Sequence, residues 1–112
     1  MIKKYFLLLL ATILLTGVHG QNRQVDLSQN IPLQDILKKA KKQKKHVLLD
    51  FGSPRCSPCL FIKNKIFTID SIADFINERF VSVDYTEGPE KKRLSKIYEV
   101  YTEPVLLICD AN

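Results

Sequence analysis

The chain has 112 residues, of which 46% are hydrophobic, and it carries 17 basic against 12 acidic side chains for a net charge of +5. This length accommodates one small domain. The basic excess is mild, and no aromatic residues interleave the lysine cluster that causes much of it, so we expect no nucleic-acid partner.

The first 20 residues have the three parts of a secretory signal peptide. Lys3 and Lys4 form a positive start, an apolar run covers residues 5–15, and small residues suit cleavage after Gly20. The apolar run is shorter than the ~20 residues that a membrane span needs. We therefore predict a cleaved signal peptide over residues 1–20 and a periplasmic or secreted protein, with an uncleaved anchoring helix as the alternative.

Beyond this segment the sequence predicts a short approach to a single domain. Residues 21–30 are polar and predict a flexible lead-in, and residues 31–112 form the predicted domain. The lysine-rich stretch "KKAKKQKK" at 38–45 belongs to a helix, because the apolar residues around it follow the i, i+3, i+4 spacing of one buried face. These apolar residues are Leu33, Ile36, Leu37 and Ala40.

Further along the chain, short apolar runs alternate with helical patterns. We predict strands over 46–51, 80–85 and 104–110. Helices are predicted after the second cysteine, from about Asp70 and from about Pro89. This alternation indicates an α/β fold in which the first two predicted strands are parallel and joined by a right-handed crossover.

The segment "DFGSPRCSPC" places Cys56 and Cys59 between the first predicted strand and the helix that follows it. At the beginning of a helix, unpaired N–H groups and the positive end of the dipole stabilise a thiolate over a thiol. Pro58 fits the first helical turn, where a backbone N–H would have no hydrogen-bond partner within the helix, so its absence costs nothing. Residues three apart on a helix lie on one face, so a disulfide can close. An exposed sulfur beside a shielded one is what two-step thiol–disulfide exchange requires.

Metal binding and an inert disulfide are the alternatives for this cysteine pair. Haem attachment needs a histidine directly after the second cysteine, where the chain has Leu60. A zinc ribbon needs a second cysteine pair, and only Cys109 remains. The histidine beyond the signal segment, His46, would lie at the other end of the strand. The spacing therefore favours a redox-active dithiol that works without a bound cofactor.

Three segments together, "LLDFGSPRCSPC", "DSIADFINERFVSVDY" and "YTEPVLLICD", resemble the thioredoxin-like family. The resemblance covers roughly residues 31–110, and it is strongest to the exported branch related to the C-terminal domain of thiol:disulfide interchange proteins. It implies a thioredoxin-like fold with a central mixed sheet flanked by helices. It also implies protein thiols and disulfides as partners, together with a membrane or soluble reductant or oxidant.

The resemblance implies roles for individual residues. Cys56 matches the attacking cysteine, and Cys59 matches the resolving one. Asp50 matches the buried acid that moves protons for the resolving sulfur, with a solvated strand end as the alternative. Pro104 matches the proline held cis beside the cysteines, where the preceding residue, Glu103, would offer backbone groups to a bound peptide.

Two charged residues depart from the pattern of the resembling family. Arg55 stands where tryptophan is common, and its guanidinium should favour the thiolate of Cys56. Glu103 would oppose that effect if its carboxylate came close. The alternative is that both side chains point into solvent. Two other functions also stay open, namely a non-catalytic thioredoxin-like module that holds peptides near Pro104 and a metallochaperone.

The last predicted strand raises the question of completeness. Cys109 lies five residues beyond Pro104, about 16 Å at ~3.3 Å per residue, so it should lie near the far end of the sheet. We expect a small buried residue there, with an exposed thiol available for cross-linking as the alternative. The resembling fold continues with another strand and a helix, whereas this sequence ends at Asn112. Both faces of strand 104–110 are apolar, so it would form a hydrophobic edge. We therefore predict that the chain is an incomplete domain, either a fragment of a longer protein or a truncated product, which lacks the last strand and helix of the resembling fold. The alternative to this is a short natural form that completes its sheet by pairing with another copy, so we expect a monomer or an edge-paired dimer.

Overall fold

The computed structural model describes residues 23–112, so the predicted signal peptide lies outside the described residues. The elements are, in chain order, β1 (Leu27–Gln29), α1 (Leu33–Gln43), β2 (His46–Phe51), α2 (Ser57–Phe61), a π-helical turn (Ile62–Ile66), α3 (Asp70–Arg79), β3 (Phe80–Tyr85), α4 (Gly88–Ile97) and β4 (Val105–Cys109). None of these helices is long and apolar enough to cross a membrane.

The four strands form one mixed sheet in the order β1–β3–β2–β4. β2 pairs in parallel with β3 and antiparallel with β4, so the predicted parallel arrangement of strands 46–51 and 80–85 is confirmed. In the parallel pair, Asp50 lies opposite Asp84 and Phe51 lies opposite Tyr85. The carboxyl ends of β2 and β3 therefore reach the same edge of the sheet, and the cysteine loop begins at this edge.

The prediction of a flexible lead-in over 21–30, with the domain beginning at residue 31, missed a strand. β1 pairs in parallel with β3, and Val25 just before it is buried. Asn77 holds this segment by two hydrogen bonds to its backbone. The polar sequence gave little indication of a strand because β1 is short and most of its stabilising contacts come from residues far along the chain.

Helices cover both faces of the sheet. On one face α1 and α4 contribute to a core of Leu33, Ile36, Ala40, Val47, Leu49, Phe51, Val81, Val83, Tyr85 and Leu94. On the other face, α3 and the segment before it enclose Val25, Leu48, Phe67 and Ala73. The lysines of α1 lie mainly on its exposed side, as the sequence predicted.

β4 lies at one edge of the sheet formed by the described residues. Val105, Leu107 and Cys109 pack against the first core, while Leu106 and Ile108 on the other side of the strand are exposed. Cys109 pairs with the beginning of β2, so its predicted position far from the cysteine loop is confirmed. The Cys109 thiol is free. The residue is half-buried, whereas we expected a buried one.

Candidate active site

The cysteine loop leaves the end of β2 and enters α2 with Cys56 as the N-cap residue. Cys56 has an extended backbone (φ −83°, ψ 102°), and its Sγ accepts a hydrogen bond from the backbone N–H of Cys59 at 3.2 Å. Pro58 lies in the first turn, as predicted. Polar side chains commonly accept such N–H groups at helix beginnings. Here the acceptor is a sulfur, so the beginning of the helix points an N–H group at the atom that would react.

Cys56 and Cys59 form a disulfide, and their Cα atoms are 5.2 Å apart. Cys59 is 8% exposed, whereas Cys56 is only half-buried. On the strand side, Gly52 approaches so closely that a Cβ atom at this position would lie 3.1 Å from both Cβ and Sγ of Cys59. A glycine at position 52 therefore lets the second cysteine pack directly against the end of β2.

Two buried carboxylates and one lysine lie beneath Cys59, and we call Asp50, Asp84 and Lys63 the inner carboxylate site. Asp50 is 4% exposed and Asp84 is 1% exposed. The Lys63 ammonium donates a hydrogen bond to Asp84 Oδ2. All three residues line the same small cavity as Cys59. Asp50 is therefore buried, as the family resemblance implied, and its burial rules out the alternative of a solvated strand end.

The inner carboxylate site changes the acidity of Asp50. Burial raises the pKa of the Asp50 carboxyl from its ordinary value of 3.8 to about 6, with a further contribution from the charge of Asp84. Lys63 acts in the opposite direction and lowers the pKa of Asp50. A carboxyl that titrates near pH 6 can take up and release a proton close to neutral pH.

A third carboxylate, that of Glu103, lies close to both sulfurs of the disulfide. The peptide bond between Glu103 and Pro104 is cis, as the family resemblance implied. A carboxylate oxygen of Glu103 and the sulfurs of Cys56 and Cys59 all lie within 4.8 Å of one another. Glu103 accepts a hydrogen bond from Lys91 Nζ at 2.5 Å, and this bond lowers the pKa of its carboxyl. We call Glu103 and Lys91 the outer carboxylate site.

Lys91 connects three segments around the disulfide. Besides Glu103, its ammonium donates to the carbonyl oxygen of Gly52 at 2.5 Å and to that of Thr86 at 3.4 Å. Lys91 thereby ties α4 to the ends of β2 and β3 and to the loop that carries Pro104.

Five of the six residues that were singled out from the sequence thus lie near one another. Asp50 shares a cavity with Cys59, Glu103 lies close to Cys56 and Cys59, and the cis peptide bond joins Pro104 to Glu103. The sixth residue, Arg55, is exposed and has no ion pair among residues 23–112.

Sequence reasoning missed Lys63 and Lys91. Both occupy helical segments that contain several lysines, so the pattern predicted solvated side chains. A lysine three or four residues beyond the second cysteine is the only sequence signal that could have indicated Lys63.

The chain is similar in sequence to a known domain family and to one longer protein. The thioredoxin-like domain model matches residues 33–112 of the chain. Spermatogenesis-associated protein 20 of Rattus norvegicus is 30% identical over 70 residues, which make up 62% of this chain and 9% of that protein. The chain therefore spans less than a tenth of the length of this relative.

Solved structures share the fold of this chain. The solution structure of a candidate disulphide isomerase from Bacteroides thetaiotaomicron matches with a TM-score of 0.71 and 26% identity, covering 82% of this chain and 76% of that one. A thioredoxin from Thermus thermophilus matches with a TM-score of 0.63 and 22% identity, covering 73% and 63% of the two chains. A DsbH oxidoreductase matches with a TM-score of 0.60 and 22% identity, covering 85% and 70%. The last two identities support the fold alone. With a family match that includes the cysteine loop and the cis-proline, the chain belongs to the thioredoxin-like domain family.

Proposed function

We propose that the protein is an exported thiol–disulfide oxidoreductase that exchanges electrons with protein disulfides through Cys56 and Cys59. The observation that carries this proposal is the position of Cys56 Sγ at the N-cap of α2, beside a shielded second cysteine. The N–H groups at the beginning of a helix favour a thiolate there. Family membership and the likeness to a candidate disulphide isomerase support the same chemistry.

The reaction has two exchange steps. In the reducing direction, the Cys56 thiolate attacks one sulfur of a client disulfide, the client S–S bond breaks, and the other client sulfur leaves as a thiolate. The Cys59 thiolate then attacks Cys56 Sγ, which closes the internal disulfide and releases the remaining client sulfur. Two electrons pass to the client, and a dithiol reductant must regenerate the protein. The same steps in reverse oxidise a client dithiol.

Asp50 serves the second step as the acceptor of the Cys59 proton. A shielded thiol cannot pass its proton directly to bulk water, and Asp50 lines the same cavity as Cys59. The raised pKa of Asp50, about 6, makes its carboxyl a better base than an ordinary aspartate while leaving most of it ionised at pH 7. Lys63 and Asp84 line the same cavity, and their opposite charges act on the pKa of this carboxyl in opposite directions.

Client peptides bind beside the cis-proline. The backbone of Glu103 would pair with an extended client segment, and Pro104 would pack against it next to the sulfurs. Arg55 lies on the exposed side, where its charge favours the thiolate of Cys56. Chemistry of this kind uses the dithiol itself and needs no cofactor.

Trapping of mixed disulfides tests the ordered mechanism. Both variants, Cys59→Ala and Cys56→Ala, are made in a Cys109→Ser background, so that each retains one thiol. Reduced protein is mixed with insulin, quenched with acid and run on a non-reducing gel. Cys59→Ala should accumulate a covalent complex because attack survives and resolution does not, whereas Cys56→Ala should trap little.

The parent chain, tested in the same assay, distinguishes a catalyst from a non-catalytic module that holds peptides. It should reduce insulin repeatedly when a dithiol reductant is supplied. Equal trapping by both variants would contradict the assigned order of the cysteines, and a parent chain without turnover would favour a non-catalytic module.

Export has its own test. The full chain, expressed in a bacterial host and separated into cytoplasmic and periplasmic fractions, should yield periplasmic protein whose N-terminus is Gln21. Replacing Lys3 and Lys4 with glutamate should retain the uncleaved chain in the cytoplasm. Uncleaved protein in the membrane fraction would instead indicate an anchoring helix.

A further inference from the structure

We propose that reduction of the disulfide creates a three-ligand zinc site formed by Cys56, Cys59 and Glu103. This inference goes beyond the exchange chemistry and does not depend on it. The two sulfurs and a Glu103 carboxylate oxygen all lie within 4.8 Å of one another. Within residues 23–112, no other group of three cysteine, histidine or acidic side chains is this close.

The ligand set suits zinc. Zinc binds thiolate sulfur at ~2.3 Å and carboxylate oxygen at ~2.0–2.2 Å in tetrahedral geometry, and open sites keep a water as the fourth ligand. Two sulfurs bound in this way lie ~3.8 Å apart, a separation that cysteines with Cα atoms 5.2 Å apart can reach once their bond is broken. Two thiolates and one carboxylate suit zinc, which accepts both sulfur and oxygen ligands, better than copper(I), which prefers sulfur ligands alone.

Lys91 supports the third ligand. Ligating carboxylates are usually held by outer hydrogen bonds, and these bonds orient them toward the metal. Lys91 donates to Glu103 at 2.5 Å and is itself fixed by the carbonyl oxygen of Gly52 at 2.5 Å. The sequence offered no third ligand near the cysteine pair because Glu103 lies far along the chain and is brought to the sulfurs only by the fold.

The site is controlled by the redox state of the cysteines. In the disulfide form neither sulfur is a thiolate, so the site does not exist. A dithiol reductant adds two electrons and converts Cys56 and Cys59 to thiols, which release their protons as zinc binds. Zinc then occupies the lone pair with which Cys56 would attack a client, so metal and client disulfide compete for the same reduced protein.

Zinc binding is measured on the full chain carrying Cys109→Ser, so that only the loop thiols are present. The protein is reduced with a phosphine, handled without oxygen and titrated with zinc against a chromophoric chelator. We expect one zinc per reduced chain and none per oxidised chain. Cobalt in place of zinc should give thiolate charge-transfer bands and the visible bands of a tetrahedral site.

Glu103→Gln identifies the third ligand. It should weaken zinc binding at least ~10-fold, since the loss of even outer-shell partners of metal ligands costs ~10–100-fold. It should also change the visible cobalt bands, which a charge effect without ligation would leave in place. Glu78→Gln, which removes an exposed carboxylate from α3, should change neither quantity.

The proposal is overturned if Glu103→Gln binds zinc as tightly as its parent, because the thiolates would then hold the metal alone. It is equally overturned if the reduced parent binds less than one zinc per chain. The readout is binding rather than turnover, so it is separable from the proposed oxidoreductase function. A chain that fails to reduce insulin but binds zinc through Glu103 would refute that function and keep the site.

Discussion

Two carboxylate sites border the disulfide, and they combine acids and lysines in different proportions. At the inner carboxylate site, the single ammonium of Lys63 pairs with Asp84 and acts on Asp50 through its charge, and both acids are buried. At the outer carboxylate site, Glu103 forms a one-to-one ion pair with Lys91, and 28% of the Glu103 side chain is exposed. The inner site borders the disulfide at Cys59 and the outer site lies close to both sulfurs, so they offer a comparison within one active centre.

The two sites differ in what they do with a proton. Burial and the neighbouring Asp84 raise the pKa of Asp50 to about 6, whereas the hydrogen bond from Lys91 lowers the pKa of Glu103. The inner carboxylate site can therefore exchange a proton near neutral pH, while the outer one keeps its negative charge. Burial and the number of cations per acid decide this difference, and the chemical type of the acid does not.

The largest expected effect comes from Asp50→Asn, which should raise the free energy of unfolding by about 2–3 kcal/mol at pH 7. The folded chain holds the Asp50 proton more tightly than the unfolded chain, because its pKa rises from 3.8 to about 6 on folding. The stability of the parent chain therefore falls as the pH rises through this window, and the amide removes that loss.

Urea unfolding of Asp50→Asn and the parent, at pH 7 and at a pH well below 3.8, measures this effect. The difference should vanish at the lower pH, where the carboxyl is neutral in both states. The variant should also release insulin slowly from the mixed disulfide. An equal gain in stability at both pH values would contradict the assignment of the raised pKa.

A smaller effect of opposite sign is expected for Lys63→Met. This change should lower the free energy of unfolding by about 1–2 kcal/mol, because Asp84 is left buried without its ionic partner. It should also shift the loss of stability attributed to the ionisation of Asp50 to higher pH, since Lys63 lowers the pKa of that carboxyl. Lys65→Met, in the same π-helical turn but exposed, is the matched control, and its change should stay within about 0.5 kcal/mol. Similar losses for both variants would mean that the ion pair contributes little.

At the outer carboxylate site, Glu103→Gln should speed the alkylation of reduced Cys56 by iodoacetamide about threefold near pH 6. The carboxylate lies within 4.8 Å of the sulfur and opposes its negative charge. The experiment uses a Cys59→Ser, Cys109→Ser background, so that only one thiol reacts. An unchanged rate would show that Lys91 already cancels the charge of Glu103.

The smallest effect is expected for Arg55→Glu, which should slow the same alkylation less than about twofold. Arg55 is exposed, so water and salt screen its charge from the sulfur. Raising the ionic strength should remove the difference from the parent. A larger effect that persists in salt would place the guanidinium against Cys56.

The sequence was sufficient for features that depend on local patterns. The strands at 46–51 and 80–85 were predicted because each is a short apolar run bounded by helical segments, and their parallel pairing follows from the crossover between them. The position of Cys56 at the beginning of a helix was predicted because only a short loop separates it from β2. The site residues around it came from the family resemblance.

Contacts made by the fold itself were not predictable in this way. A lysine that turns inward, such as Lys63 or Lys91, has the same local sequence pattern as a solvated one. The π-helical turn, in which the backbone N–H of Phe67 bonds the carbonyl of Ile62 at 2.9 Å, also has no counterpart in the i, i+3, i+4 pattern. The nearness of Glu103 to the sulfurs, on which the zinc site rests, depends on the cis-proline loop folding back over α2.

The close approach of Gly52 to Cys59 also restricts how the active site can move. The backbone of β2 already occupies the space behind Cys59, and the Gly52 N–H is bonded to the carbonyl of Tyr85 at 3.1 Å. Gly52 therefore blocks Cys59 from moving toward the end of β2 when its bond to Cys56 breaks. We expect the less buried Cys56 to make the larger displacement, so reduction should shift the backbone NMR signals of Arg55 and Cys56 more than that of Gly52.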